Sequence, residues 1–125
     1  MDVIPELAND GYTLVLSTGY RPDIAHAQLE MVGLRRHFDL ILGHNPPITK
    51  GEPHMKEVME KYGISLEEMS EVSIVGDGVG DIRMGQGYTQ RLYGIDRIGN
   101  SKELIESGAL KVFPNLIEFY QHFKS

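Results

Sequence analysis

The chain contains no cysteine, which excludes a disulfide framework, a thiolate metal site and a cysteine nucleophile. Positive charge is also short. Lys and Arg total 12 against 18 Asp and Glu, for a formal net charge of -6 at pH 7. A nucleic-acid or anionic-membrane surface needs a basic patch, so neither is an expected partner. A small anionic ligand remains open if a few cations or a metal are focused at one place. Long apolar runs are missing too: none approaches the roughly 18 residues of a membrane span. The opening stretch MDVIPELANDGY has neither the basic start nor the apolar centre of a secretory signal. A soluble, cytoplasmic protein is expected.

What is present suits one α/β domain. The 125 residues are 41% hydrophobic, with no repeat, low-complexity tract or linker to divide them. Ile4, Leu7 and Ala8 have helical spacing up to Gly11. YTLVLST follows as a strand-length run suited to burial on both faces. A helical stripe through Ile24, Ala27 and Met31 ends at Gly33, and FDLILG reads as a second strand. Met55, Val58, Met59 and Tyr62 make another helical stripe ending at Gly63. Ser65 and Glu68 have capping-box spacing. EVSIVGD is a third strand, Ile82 to Tyr88 a short helix, and RLYGI a fourth strand. Ser101 is a candidate cap for KELIES, LKVF a small edge strand, and Asn115 with Glu118 a box for the last helix. Strands alternating with amphipathic helices predict a Rossmann-like three-layer α/β/α fold with a mainly parallel sheet.

In such sheets ligands bind beyond the carboxyl ends of the strands, which selects three loops: STGYR, GHNPPITK and GDGVGD. The third places Asp77 and Asp81 in a glycine-rich turn. Such turns often cradle phosphate, but two carboxylates would repel it unless a cation intervenes. A hard divalent cation fits, since Mg2+ prefers oxygen and often takes only one or two carboxylates. The alternative makes Asp77 a turn former and Asp81 a helix N-terminal acid. In the first loop Ser17, Thr18 and the backbone near Gly19 can hydrogen-bond phosphoryl oxygens. In the second, Lys50 can neutralise them, followed by a helix beginning near Pro53. The five His, including His44 and His54, lack ligand spacing. Arg21 and Arg83 read as solvated, Met55 and Met59 as core, and Tyr88 and Tyr93 as packing.

A hydroxyl after one strand, Lys50 with Pro53, then Asp77 and Asp81 in an hhhhGDxxxD pattern resemble motifs two, three and four of the haloacid dehalogenase-like (HAD) hydrolases. Thr18, with Ser17 as the alternate, matches the second. The resemblance runs from about Pro5 to the end and is strongest to phosphoglycolate-phosphatase-type members. It implies a HAD-like core in which Lys50 and Thr18 are catalytic. Ser17, Thr18, Gly19 and Lys50 would bind substrate phosphate, and Asp77 and Asp81 would hold Mg2+.

The family's first motif, hhhhDxDx[TV], has no match. Its first Asp attacks phosphorus and its second acts as general acid and base. Asp2, Asp10, Asp39 and Asp96 all lack the required strand or partner acid. The resemblance therefore implies a single core domain over 1–125, truncated on its N-terminal side, without a cap domain and without the usual first central strand. That strand would lie between those ending at Thr18 and Asp77, and its loss leaves two open edges. Either these two strands pair directly, or a second copy or partner chain completes the sheet, or a longer reading frame does. The implied function is a Mg2+-dependent phosphatase for small phosphomonoesters, given a nucleophilic Asp from a missing segment or partner. The alternative is an inactive HAD-like domain that binds a partner or a phosphorylated ligand.

Overall fold

Each apolar run contributes only three or four residues to a strand. In the computed structural model, which describes residues 2–125, the elements are α1 (Val3–Asn9), β1 (Val15–Ser17), α2 (Pro22–Met31), β2 (Leu40–Leu42), α3 (Glu52–Tyr62), β3 (Ile74–Gly76), α4 (Val79–Gly85), β4 (Leu92–Ile95), α5 (Ser101–Glu106), β5 (Lys111–Phe113) and α6 (Leu116–Lys124). The chain divides after His54 into two compact units. No helix among the described residues is long and apolar enough to cross a membrane.

In the first unit β1 and β2 run parallel, with Val15 opposite Leu40 and Ser17 opposite Leu42. Val3, Leu7, Ala25 and Leu42 are its buried apolar side chains. Gly33, at φ 72°, closes α2 in a left-handed conformation that suits glycine. The β1 residues are only partly buried, whereas their apolar run predicts burial on both faces. The reason lies in the pairing: β1 is bonded to β2 alone.

The second unit holds a parallel sheet in the order β3-β4-β5. β4 is buried throughout, and its alternating side chains feed two cores. Leu92 joins Met55, Met69, Ile74, Ile82, Leu104 and Ala109 on one side. Tyr93 and Ile95 join Phe113 and Phe119 on the other. Full burial of such side chains stabilises by about 1.5–3 kcal/mol each. α4 and α5 thus cover one face and α6 the other, so the α/β class with parallel pairing holds. β1 and β3 lie in different sheets, which removes direct pairing between them. Each has one unpaired edge among the described residues.

Caps fall largely where their spacing predicts. Ser65 and Glu68 exchange hydrogen bonds of 3.0 and 3.1 Å, on a short 3-10 helix over Glu68–Glu71. Asn115 Oδ1 accepts the Glu118 N–H at 2.9 Å. Two expectations change. α4 begins at Val79, three residues before Ile82. Ser101 is the first residue of α5 instead of its cap, because Asp96 reaches the helix start from outside. The Asp96 carboxylate accepts N–H bonds from Gly99, Asn100 and Ser101 at 2.6, 3.0 and 3.2 Å and one from the Ser101 hydroxyl. The hydroxyl first, then the amides, hold its pKa below the ordinary carboxylate value.

A depressed folded pKa contributes stability that is fully present above the unfolded value, near 4, and lost as pH falls through the folded one. Asp96→Ala should therefore lower the melting temperature at neutral pH. The gap to wild type should close below about pH 4 in thermal scans. A gap independent of pH would show that these bonds do not carry the effect.

Candidate functional site

The acidic turn is made possible by a missing side chain. Gly76 ends β3, and a Cβ there would stand 2.2 Å from Asp81 Cβ and 2.5 Å from its Cγ and Oδ2. Glycine leaves that space empty, and Asp81 folds back into it. Asp81 Oδ2 then accepts the Gly78 N–H at 3.1 Å, while the Asp81 N–H donates to the Gly78 carbonyl at 3.1 Å. This reciprocal pair starts α4 early and places Asp81 in its first turn, where the helix dipole also favours an acid.

Asp77 is held differently. Its backbone carbonyl accepts a hydrogen bond from Asn100 Nδ2 at 3.1 Å. Its carboxylate pairs with Arg97 at 3.3 Å, with the two side chains 52% and 71% exposed. Both partners sit in the loop that Asp96 organises, so one carboxylate orders the support of another. Asp96 is the site residue that sequence reasoning passed over. Asp followed by Gly, Asn and Ser at the third to fifth positions is the signal, because a carboxylate there can collect consecutive N–H groups.

Among the described residues no group of three or more potential ligand side chains is placed to hold a metal. The turn instead offers two carboxylates, all-oxygen donors of the kind Mg2+ accepts while keeping several waters. Each carboxylate has about four acceptor positions, of which Asp81 gives one to the Gly78 N–H and Asp77 one to Arg97. The residues present therefore fit a hard cation.

In the first unit, Ser17 and Thr18 lie at the end of β1. The Thr18 N–H donates to Leu42 at 2.9 Å, and its Oγ1 accepts the Tyr20 N–H at 3.2 Å. Gly19 is exposed, as is Lys50 in the segment leading to α3. Ser17 Oγ lies 2.7 Å from Nδ1 of His54, a fully buried ring whose Nε2 is 2.9 Å from the Gly43 carbonyl. Sequence reasoning set His54 aside. Its signal is position, since it stands four residues before Val58 and shares that buried stripe. Arg21 pairs with Asp23 at the surface. Met55 is buried, Met59 and Tyr88 pack against the first core, and Tyr93 lies in the second.

A family model described as haloacid dehalogenase-like hydrolase matches residues 1–88, from the first helix through the acidic turn. The chain belongs to the haloacid dehalogenase-like hydrolase family. Solved structures agree on the fold. One, described as a predicted phosphatase from Clostridium acetobutylicum, superposes with a TM-score of 0.83 at 20% identity, over 98% of this chain and 56% of that one. A haloacid dehalogenase-like family hydrolase from Streptococcus pneumoniae gives 0.82 at 18% identity, over 98% and 57%. The chain thus spans a little over half the length of these proteins. Among curated proteins none matches it.

Gly76→Ala should destabilise the domain by about 1–3 kcal/mol, the usual range for overpacking. In an Asp81→Gly background the same change should cost less, because its clash partner is gone. Urea unfolding of the double-mutant cycle measures the difference. Equal costs in both backgrounds would contradict the contact.

Proposed function

We propose that residues 1–125 form a single core domain of a Mg2+-dependent phosphatase for small phosphomonoesters. The nucleophilic Asp comes from a segment outside these residues or from a partner chain of different sequence. The observation that carries this reading is the turn after β3, with Asp77 directly after the strand end and Asp81 in the first turn of α4. Asp77 and Asp81 would hold Mg2+, which when bound neutralises phosphoryl charge. The Thr18 hydroxyl and the Gly19 backbone bind phosphoryl oxygens by hydrogen bonds, with Ser17 as the alternate hydroxyl. Lys50 adds positive charge, so Thr18 and Lys50 orient the ester for in-line attack. The unpaired edges of β1 and β3 support a strand from elsewhere, and the description of one similar structure as a predicted phosphatase supports the reaction class.

A second reading is favoured by the lack of any hhhhDxDx[TV] run among the 125 residues. The same groups without a nucleophile form a domain that binds a phosphorylated ligand and hydrolyses nothing. Hydrolysis of p-nitrophenyl phosphate separates the two. The chain alone should show no Mg2+-stimulated turnover. A segment bearing the first motif, supplied in trans, should confer turnover that Asp77→Asn abolishes. Binding of that segment without turnover would favour the second reading. Turnover by the chain alone would contradict the external nucleophile.

Arg97 competes for Asp77. An exposed pair of this kind is worth about 0.2–1 kcal/mol, so Arg97→Ala should tighten Mg2+ binding by up to about fivefold in titration calorimetry. Weaker binding would show that Arg97 supports the site.

A further inference from the structure

We propose that His54 is a positioning residue that decides which of two adjacent hydroxyls can donate to a phosphoryl oxygen: it commits the Ser17 proton inward and leaves the Thr18 proton for the ligand. The inference rests on the phosphate-binding reading of the loop after β1.

Proton bookkeeping carries the argument. The Gly43 carbonyl can only accept, so His54 donates to it from Nε2 across 2.9 Å. The ring is fully buried, where a neutral imidazole is the inexpensive form. With its proton on Nε2, it presents only a lone pair at Nδ1. The Ser17 hydroxyl, 2.7 Å away, must then donate to that lone pair and keeps only acceptor capacity. Thr18 has the opposite polarity. Its Oγ1 accepts the Tyr20 N–H at 3.2 Å, a bond that does not consume its own proton. Phosphoryl oxygens are acceptors and bind donors, so Thr18 is the hydroxyl suited to them.

The surrounding backbone makes the choice rigid. A Cβ at Gly43 would stand 2.6 Å from the Tyr20 carbonyl and 2.7 Å from the Pro22 nitrogen, so the end of β2 lies directly against the STGYR loop. The His44 N–H also donates to Tyr20 at 2.7 Å. His54, in the first turn of α3, therefore ties the ends of both strands to one helix. Turning Ser17 outward would break a bond inside this packed junction and leave Nδ1 without that donor.

The test uses the full chain labelled with 15N. Histidine ring spectra at neutral pH should show His54 protonated on Nε2 alone; a proton on Nδ1, or on both nitrogens, overturns the assignment. Inorganic phosphate is then titrated while the Thr18 and Gly19 amides are followed. Thr18→Val should weaken binding about tenfold more than Ser17→Ala does, and Ser17→Ala losing as much or more overturns the proposal. His54→Gln can both donate to Gly43 and accept from Ser17, so it should preserve the difference between the two hydroxyl variants. If wild type shows no response to phosphate, the phosphate reading fails, and the ring spectrum alone decides the role of His54.

Discussion

Two glycines at strand ends impose the same constraint on both halves of the chain. At Gly43 and at Gly76 the loop that follows a strand, or its neighbour, passes so close that a single methyl has no room. Each close approach puts a functional group where packing alone would not. At Gly76 it lets the Asp81 carboxylate return to the strand end. At Gly43 it presses the hydroxyl loop onto the end of β2, within reach of His54. The chemistry of these loops thus depends on the absence of side chains as much as on the side chains present.

Support for the two acids is unequal, and this bears on their roles. Asp81 is tied to its own helix start by the reciprocal bonds with Gly78. Asp77 depends on Arg97 and Asn100, and these in turn on Asp96. An exposed ion pair is weak, so Asp77 is held firmly by its backbone and loosely by its carboxylate. A carboxylate held in that way can exchange a guanidinium for a hard cation without unfolding the turn. The open edges of β1 and β3 present a second demand, since unpaired strand edges invite another strand.

Much of the fold was legible because its signals are local and periodic. Apolar runs marked the five strands, helical stripes marked α2 and α3, and Ser65 with Glu68 marked a cap. The helix type at Glu68 and the start of α4 were not legible, because both are set by a few hydrogen bonds rather than by a pattern. Ser101 misled for the same reason: a residue suited to capping yielded to Asp96, whose reach depends on how the loop folds. The motif residues Thr18, Lys50, Asp77 and Asp81 stood out by type and order. The side chains that order the neighbouring loops, His54, Asp96 and Asn100, did not, because such a role is defined by what a side chain faces in space.

An NMR titration of the 15N-labelled chain with Mg2+ tests most directly whether the turn after β3 holds the cation. Saturable amide shifts centred on residues 76–81, with movement of the Arg97 guanidinium signal, and loss of both in Asp77→Ala are the predicted result. Shifts that persist in Asp77→Ala, or that fall elsewhere in the chain, would contradict it.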